Sequence, residues 1–233
     1  MNTIKQLRDE AGVMKDNVGD IQGIIAQYFR NIFASNQPMD SELNGVLSVI
    51  QPRVTTEMNR TLVEPFTAVE VKLAVFSMFP LKSPGPDGIP PLFIQKFWPI
   101  IGDDISCSVL RILNDLVLYR KMNHTHVVLI PKCDAPETVG QLRPISLCNV
   151  TIRIASKCIA NRLKGFLDSI ISQTQSAFIP GRLITDNVLL AFEVNHYLKI
   201  STRAKVNSVA LKLDMSKAYD MVEWPFSEVC FLG

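Results

Sequence analysis

Ser208–Trp224 reads SVALKLDMSKAYDMVEW, and how this stretch is interpreted decides the rest of the chain. Val209, Leu211 and Leu213 alternate with Ala210, Lys212 and Asp214, the period of a half-buried strand. Asp214 therefore leaves the predicted strand opposite its apolar side. Met215 to Tyr219 follow as a turn into a short helix, and a second carboxylate, Asp220, comes six residues after the first. A carboxylate at the end of a strand, beside a turning backbone, can offer hard oxygen ligands to a divalent cation. Spacing alone favours the plainer alternative, a strand end followed by an Asp-capped helix.

Working outward, composition sets the frame. The chain has 233 residues, 47% hydrophobic and 20% charged, which reads as a globular, soluble protein of one domain or one and a half. Apolar runs are only a few residues long, as at Val188–Phe192, too short for a membrane span. The N-terminus lacks the apolar core of a signal peptide. Net charge is +2, but its distribution is uneven. Residues 1–119 carry 10 basic against 13 acidic side chains, and residues 120–233 carry 14 against 9. The basic excess falls in the half that holds the motifs, which suits a phosphate partner and is equally compatible with a solvated surface.

Five cysteines, Cys107, Cys133, Cys148, Cys158 and Cys230, form no Cys-x-x-Cys pair. They are expected to be reduced, mostly buried thiols of an intracellular protein. His124 and His126 are expected on one face at a strand edge, without a third metal ligand.

Upstream, Ile21, Ile24, Ile25, Phe29, Ile32 and Phe33 recur at helical spacing behind Asp20, predicting an amphipathic packing helix over residues 20–34. Residues 35–65, polar and interrupted by Pro38, Pro52 and Pro65, predict a linker with little regular structure. Thr67 and Glu70 form a capping-box pattern opening a helix to about Phe79, stopped by Pro80. Lys82–Gly88, KSPGPDG, is then a rigid exposed turn whose backbone amides could face a phosphate. Pro90 and Pro91 begin a short helix ending at Trp98, with Phe93, Phe97 and Trp98 as core residues. Asp103 and Asp104 are expected to cap a separate helix bearing Ile105, Val109, Ile112 and Leu116. His126–Lys132 (HVVLIPK) and Arg143–Asn149 (RPISLCN) predict two extended pieces joined by a polar connection. Ile154, Ala155, Cys158, Ile159, Leu163, Phe166, Leu167 and Ile170 recur at helical spacing over residues 151–171. Lys157, Arg162 and Lys164 sit on other parts of that surface, by default a solvated basic face, with a template contact as the alternative. Pro180-Gly181 makes a turn presenting Arg182, and Thr185 or Asp186 caps a helix from Val188 to about Leu198.

Five motifs in this order carry a resemblance. KSPGPDGIP, LIPK, LRPISL, QSAFIPGRLITDN and LDMSKAYDMVEW resemble the successive signatures of reverse transcriptases from LINE-type (non-LTR) retrotransposons, in a form abundant in plants. The likeness runs from about Phe66 to Trp224. Met221 departs from it, since a basic residue is usual before Val222, Glu223 and Trp224.

The resemblance implies an α+β chain. It consists of N-terminal helices and a linker over residues 1–65, then a partial reverse transcriptase domain over 66–233. The latter comprises polymerase fingers at 66–200 and the first strand of an incomplete right-hand palm at 201–233. It implies that Asp214 binds the catalytic Mg2+ (or Mn2+), and that Tyr219 packs under the sugar of the incoming nucleotide. Lys132 and Arg143 would clasp the triphosphate of a dNTP, for which an ammonium and a guanidinium fork are suited. Gln175 and Arg182 would contribute to a groove for the RNA template and DNA primer. Gly85, Asp87, Gly88 and Asp220 belong to the motifs without an assigned role.

Two-metal polymerisation needs further carboxylates, which the family draws from a Tyr-x-Asp-Asp hairpin absent from these 233 residues. The chain alone is therefore expected to be truncated and not to polymerise, with metal bound weakly if at all. An exposed strand edge at Val209–Leu213 would favour self-association. The alternatives are a non-catalytic nucleic-acid-binding remnant and a functionless product of a decayed element. No membrane partner is expected, and nuclear action rests on the family resemblance alone.

Overall fold

The computed structural model describes residues 4–200, 209–213, 218 and 220–227. The chain opens with a small antiparallel hairpin, β1 (Leu7–Arg8) and β2 (Met14–Lys15), which the sequence did not signal. Helix α1 (Val18–Phe33) follows, its amphipathic face as expected. The cap is Asn17, whose side chain accepts from the Gly19 amide, and Asp20 sits in the first turn.

Residues 35–65 hold more regular structure than a linker. Helix α2 (Asp40–Leu47) and helix α3 (Thr56–Val63) occupy them, each without a buried residue. Pro38 and Pro52 lie outside α2 and Pro65 lies beyond α3, so the prolines bracket helices instead of breaking them. Local devices sustain both. Glu42 reaches back to the Met39 amide at 2.9 Å, Thr55 Oγ1 accepts from the Met58 amide at 3.2 Å, and Arg60 pairs with Glu57 and Glu64 at helical spacing.

Helix α4 (Ala68–Phe76) begins at the Thr67–Glu70 capping box and ends three residues before the expected Phe79. Helix α5 (Pro91–Asn114) corrects the sequence reading most plainly, because the two expected helices are one, with Pro99 inside it. Pro91, Ile94, Gly102, Ser106 and Val109 are its buried positions, a single stripe running through the proline. Burial of that stripe outweighs the one hydrogen bond that Pro99 withholds. Asp103 and Asp104 are accordingly exposed mid-helix residues, not caps. Phe93 and Phe97 are 44% and 43% exposed and meet each other with their rings tilted by 44°, leaving Trp98 alone of the three packed against the core.

Strands β3 (Thr125–Pro131) and β4 (Leu142–Cys148) form an antiparallel pair, with a 3-10 turn at Val139–Gln141 between them. Helix α6 (Val150–Lys164) ends at Gly165, and a short helix α7 (Leu167–Ile170) follows where one continuous helix was expected. Helix α8 (Ile184–Ile200) starts four residues before the predicted Val188, so Thr185 and Asp186 lie in its first turn. None of its residues is buried.

Two apolar clusters hold these elements. In the larger, Val71, Ala74 and Val75 of α4, Ile94 and Val109 of α5, and Val150, Ile154, Ala155 and Cys158 of α6 form a three-helix core. In the smaller, Leu7, Ile21, Val139 and Leu142 join the N-terminal hairpin and α1 to the start of β4. Arg8 reinforces that junction, its guanidinium 2.7 Å from Glu137 and its amide donating to the Glu137 carbonyl.

Residues 209–213 are exposed and form no strand. The alternation there finds no partner among the described residues, and a lone strand leaves its backbone polar groups unpaired. The expected unpaired sheet edge is therefore absent from the described residues. Of the described cysteines only Cys158 is buried; Cys107 and Cys133 are exposed, against the expectation of mostly buried thiols. No helix among the described residues is long and apolar enough to cross a membrane.

Candidate nucleotide and template interface

The β3–β4 hairpin carries the two cations that sequence singled out. Its β-branched positions favour extended backbone, and Pro131 and Pro144 are tolerated because a two-stranded sheet consists of edges. The register pairs Ile130 with Arg143 and Pro131 with Leu142, and the Lys132 amide donates to the Gln141 carbonyl at 2.8 Å. Carrying the strand alternation one residue past Pro131 puts Lys132 on the same face as Arg143, diagonally across the ladder. Both residues are exposed. Lys132 Nζ donates to the Gly140 carbonyl at 2.9 Å, which leaves further ammonium hydrogens to give. Arg143 makes no side-chain hydrogen bond or ion pair among the described residues. Neither cation has a carboxylate partner among the described residues, so there a same-face pair of positive charges stands open to an anion.

The Lys82–Gly88 loop is not an open phosphate cradle. The amides of Asp87, Gly88 and Ile89 already donate to Asn149 Oδ1 (3.0 Å), the Gly85 carbonyl (3.0 Å) and Asp87 Oδ1 (3.1 Å). Asp87 Oδ2 accepts from the Val150 amide at 2.6 Å, satisfying one of the free N–H groups that open α6. Gly85 presses on the end of β4 so closely that a Cβ would lie 2.2 Å from the Cys148 carbonyl oxygen. Gly88, at φ +67°, takes the left-handed turn that closes the loop. The motif therefore acts as a brace across the β4–α6 junction. Asn149 extends it by donating to the Met122 carbonyl at 2.8 Å.

Arg182 is likewise turned inward instead of presented. Its side chain is 14% exposed and lies 2.8 Å from Asp168 Oδ1, and it also donates to the carbonyls of Ser172 and Gln175. The guanidinium fork gathers the loop that precedes α8. Gln175, in that loop, is exposed, and among the described residues its side-chain amide approaches only the Ala177 carbonyl, at 3.4 Å.

Arg162, assigned by sequence to a basic surface, is the most heavily used side chain on α6. It pairs with Glu70 at 2.8 Å, donates to the carbonyls of Leu62, Glu64 and Pro65, and lies 3.6 Å over the Phe66 ring. Glu70 is held below the usual carboxylate range, chiefly by that guanidinium. The clue available in sequence was the absence of any acid on α6, which obliges a buried cation there to find its partner elsewhere.

Asp214 and Tyr219 lie outside the described residues. Asp220 sits half-buried in a turn and lines a cleft with Tyr28, Asn31 and Phe33 of α1. Beside it Glu223 accepts from Ser35 Oγ at 2.7 Å and from the Asn36 amide at 2.9 Å. Both bonds hold its carboxyl below the ordinary range, the backbone amide contributing most. His124 and His126 do meet, ring centroids 5.6 Å apart. Among the described residues, however, no three His, Cys, Asp or Glu side chains converge on a metal-binding point.

Comparison with known proteins adds what geometry leaves open. Residues 130–230 match a family model described as reverse transcriptase (RNA-dependent DNA polymerase). Over 214 residues the chain is 29% identical to the "Transposon TX1 uncharacterized 149 kDa protein" of Xenopus laevis, covering 92% of this chain and 16% of that protein. Over 210 residues it is 28% identical to the "Retrovirus-related Pol polyprotein from type-2 retrotransposable element R2DM" of Drosophila melanogaster, covering 88% of this chain and 18% of that one. The chain thus spans less than a fifth of the length of either curated relative. The matched segment begins within β3 and includes the hairpin's return strand, the loop around Arg182 and the LDMSKAYD stretch. These matches, with all five motifs in order, support a reverse transcriptase of the LINE-type, non-LTR retrotransposon kind.

Proposed function

We propose that this chain supplies the fingers and the start of the palm to an RNA-templated DNA polymerase. Residues 66–200 are the fingers, 201–233 begin the palm, and residues 1–65 form an upstream region braced against the hairpin through Leu7 and Ile21. Lys132 and Arg143 bind the triphosphate of the incoming dNTP, where positive charge offsets the charge that builds on the leaving group. Gln175 contacts the template or primer strand, and Arg182 holds the loop from which it reaches. Tyr219 packs on the nucleotide sugar. Asp214 is the ligand for Mg2+ or Mn2+, which would assist attack by the primer 3′-hydroxyl.

The observation that carries this reading is the same-face placement of Lys132 and Arg143, exposed and without a carboxylate partner among the described residues, on the hairpin where the family match begins. The test is equilibrium binding of a dNTP and of the corresponding nucleoside monophosphate to the 233-residue chain by calorimetry. A charge-assisted hydrogen bond contributes about 1.5–3 kcal/mol. Replacing both residues by Ala should therefore weaken triphosphate binding at least about 10-fold and leave the monophosphate nearly unaffected. Equal affinities for dNTP in the double variant and the parent chain would overturn the assignment.

A further inference from the structure

Helix α1 touches two separate parts of the motif-bearing region. Near its start, Ile21 packs with Leu7, Val139 and Leu142 at the connection between β3 and β4. That connection also holds the hairpin's lysine, since Lys132 Nζ donates to the Gly140 carbonyl. Beyond Phe33, the last residue of α1, the turn at Ser35 and Asn36 meets Glu223. A helix of 16 residues is about 24 Å long. It forms a strut between the hairpin and the end of the LDMSKAYDMVEW stretch.

The far contact receives one carboxylate. The Asn36 amide donates to Glu223 Oε1 at 2.9 Å, and Ser35 Oγ donates to Oε2 at 2.7 Å. Ser35 Oγ also accepts from the Gln37 amide at 3.0 Å, so its lone pairs are engaged within the turn and its hydrogen goes to Glu223. Gln37 stands at φ +49°, a left-handed conformation that residues other than glycine adopt at a cost. Glu223 has no ion pair among the described residues, so the contact depends on the placement of two neutral donors.

Glu223 also starts a helical turn over 224–227, where the Ser227 amide donates to its carbonyl at 3.1 Å. A side chain at such a position ordinarily accepts from amides of its own helix; this one crosses to α1. Asp220 lines the cleft of about 450 Å3 between α1 and residues 220–224, so this segment lies along the end of the strut. Tyr219 immediately precedes it. The 4 residues from Tyr219 to Glu223 span at most about 14 Å, and fastening Glu223 limits how far the Tyr219 backbone can stand from α1.

We propose that Glu223 is a positioning residue for selection of the nucleotide sugar. Its bonds to Ser35 and Asn36 fasten the stretch after Tyr219 to α1, and α1 sets that stretch relative to the Lys132–Arg143 hairpin. Residues 1–65 thereby take part in nucleotide selection. This role depends on Lys132 and Arg143 binding the triphosphate and on Tyr219 meeting the sugar.

The test is calorimetric binding of dGTP and GTP to the 233-residue chain and to four variants: Glu223→Ala, Ser35→Ala, Ser35→Thr, and Lys132→Ala with Arg143→Ala. Amide exchange at Asn36 is followed in parallel. The parent chain should bind dGTP more tightly than GTP. Glu223→Ala and Ser35→Ala should each reduce the dGTP-to-GTP affinity ratio at least about 3-fold, and together little further than Glu223→Ala alone, as partners in one contact do. Ser35→Thr keeps the hydroxyl and should return the ratio to within about 2-fold of the parent value. A general loss of stability would lower both affinities and leave the ratio in place. Exchange at Asn36 should quicken in Glu223→Ala.

An unchanged ratio in Glu223→Ala, or an Asn36 amide equally protected without the carboxylate, overturns the proposal. A parent chain that binds both nucleotides alike also overturns it, while the hairpin assignment survives if Lys132→Ala with Arg143→Ala weakens both. Triphosphate binding that is absent, or indifferent to the hairpin pair, defeats that assignment and the proposal with it. Ser35→Ala, in an exposed turn, breaks the contact from its other side should Glu223→Ala disturb folding.

Discussion

Arg162 and Glu70, 92 positions apart in sequence, meet as a two-pronged ion pair, Nε to Oε1 at 2.8 Å and Nη2 to Oε2 at 3.0 Å. The carboxylate belongs to the capping box that starts α4, and the guanidinium comes from the last turns of α6. One contact thus ties helix initiation to the three-helix core. The same guanidinium closes the chain segment between α3 and α4 through three carbonyls and the Phe66 ring.

Arg162→Ala should be among the most destabilising single changes in the chain. Breaking a buried pair costs about 3–5 kcal/mol, and the 30% exposure of the Glu70 side chain reduces that to about 1–3 kcal/mol through solvent screening. Arg162→Lys should recover little, because an ammonium cannot satisfy a carboxylate and three carbonyls in fork geometry. Urea unfolding at neutral pH measures both.

The same pair makes stability depend on pH. Glu70 is harder to protonate folded than unfolded, chiefly because of Arg162. Between the two pKa values the unfolded chain binds more protons, so stability rises with pH there. The contribution is complete above the ordinary glutamate range and is lost as pH falls through the lowered, folded value. Unfolding followed from pH 7 to pH 3 should therefore be steeper for the parent chain than for Glu70→Gln.

Gly85→Ala should loosen the β4–α6 junction. The new Cβ would meet backbone atoms of Cys148 and Asn149 at 2.2–2.8 Å, and backbone cannot swing aside as a side chain can. Overpacking of this kind costs about 1–3 kcal/mol. Asp87→Ala should cost about 1–2 kcal/mol by a different route, leaving the Val150 amide without its acceptor. Amide exchange at the start of α6 should rise in both variants.

Cys158 should resist thiol reagents while the chain is folded. Burial raises its pKa to about 11 from an ordinary value of 9.0, which lowers the thiolate fraction about 100-fold. Cys107 and Cys133 are exposed and should react first in a timed labelling experiment read by mass spectrometry. Rapid labelling of Cys158 in native buffer would count against the packed helix core.

Arg182→Lys should separate a scaffold role from a strand contact. With the fork lost, residues 172–182 should become a preferred site of limited proteolysis. The salt slope of RNA binding should stay within about 0.3 of the parent value, less than half of one single-strand phosphate contact. A drop of a full contact with no change in proteolysis would show that Arg182 meets the strand directly.

What sequence alone determined was local. The Thr67–Glu70 box, the amphipathic α1, the alternating hairpin strands and the turn at Pro180-Gly181 are each set by residues a few positions apart, so their signals survive without knowledge of the fold. The ordered motifs that carry the family resemblance are local in the same sense. Tertiary structure decided which charges are free and which are consumed. Arg162, Arg182 and Asp87 look in sequence like available surface groups, yet each is committed to partners that only the folded chain brings near. Lys157 looks like an ordinary solvated lysine, yet burial first, and then Lys164, hold its pKa below the usual range. Pro99 sits within an unbroken helix because a buried stripe spans it, and Val209–Leu213 forms no strand because alternation without a neighbouring strand leaves backbone hydrogen bonds unmade. Propensity acts through bonds near in sequence, whereas charge pairing and burial act through space, and only the fold specifies distance in space.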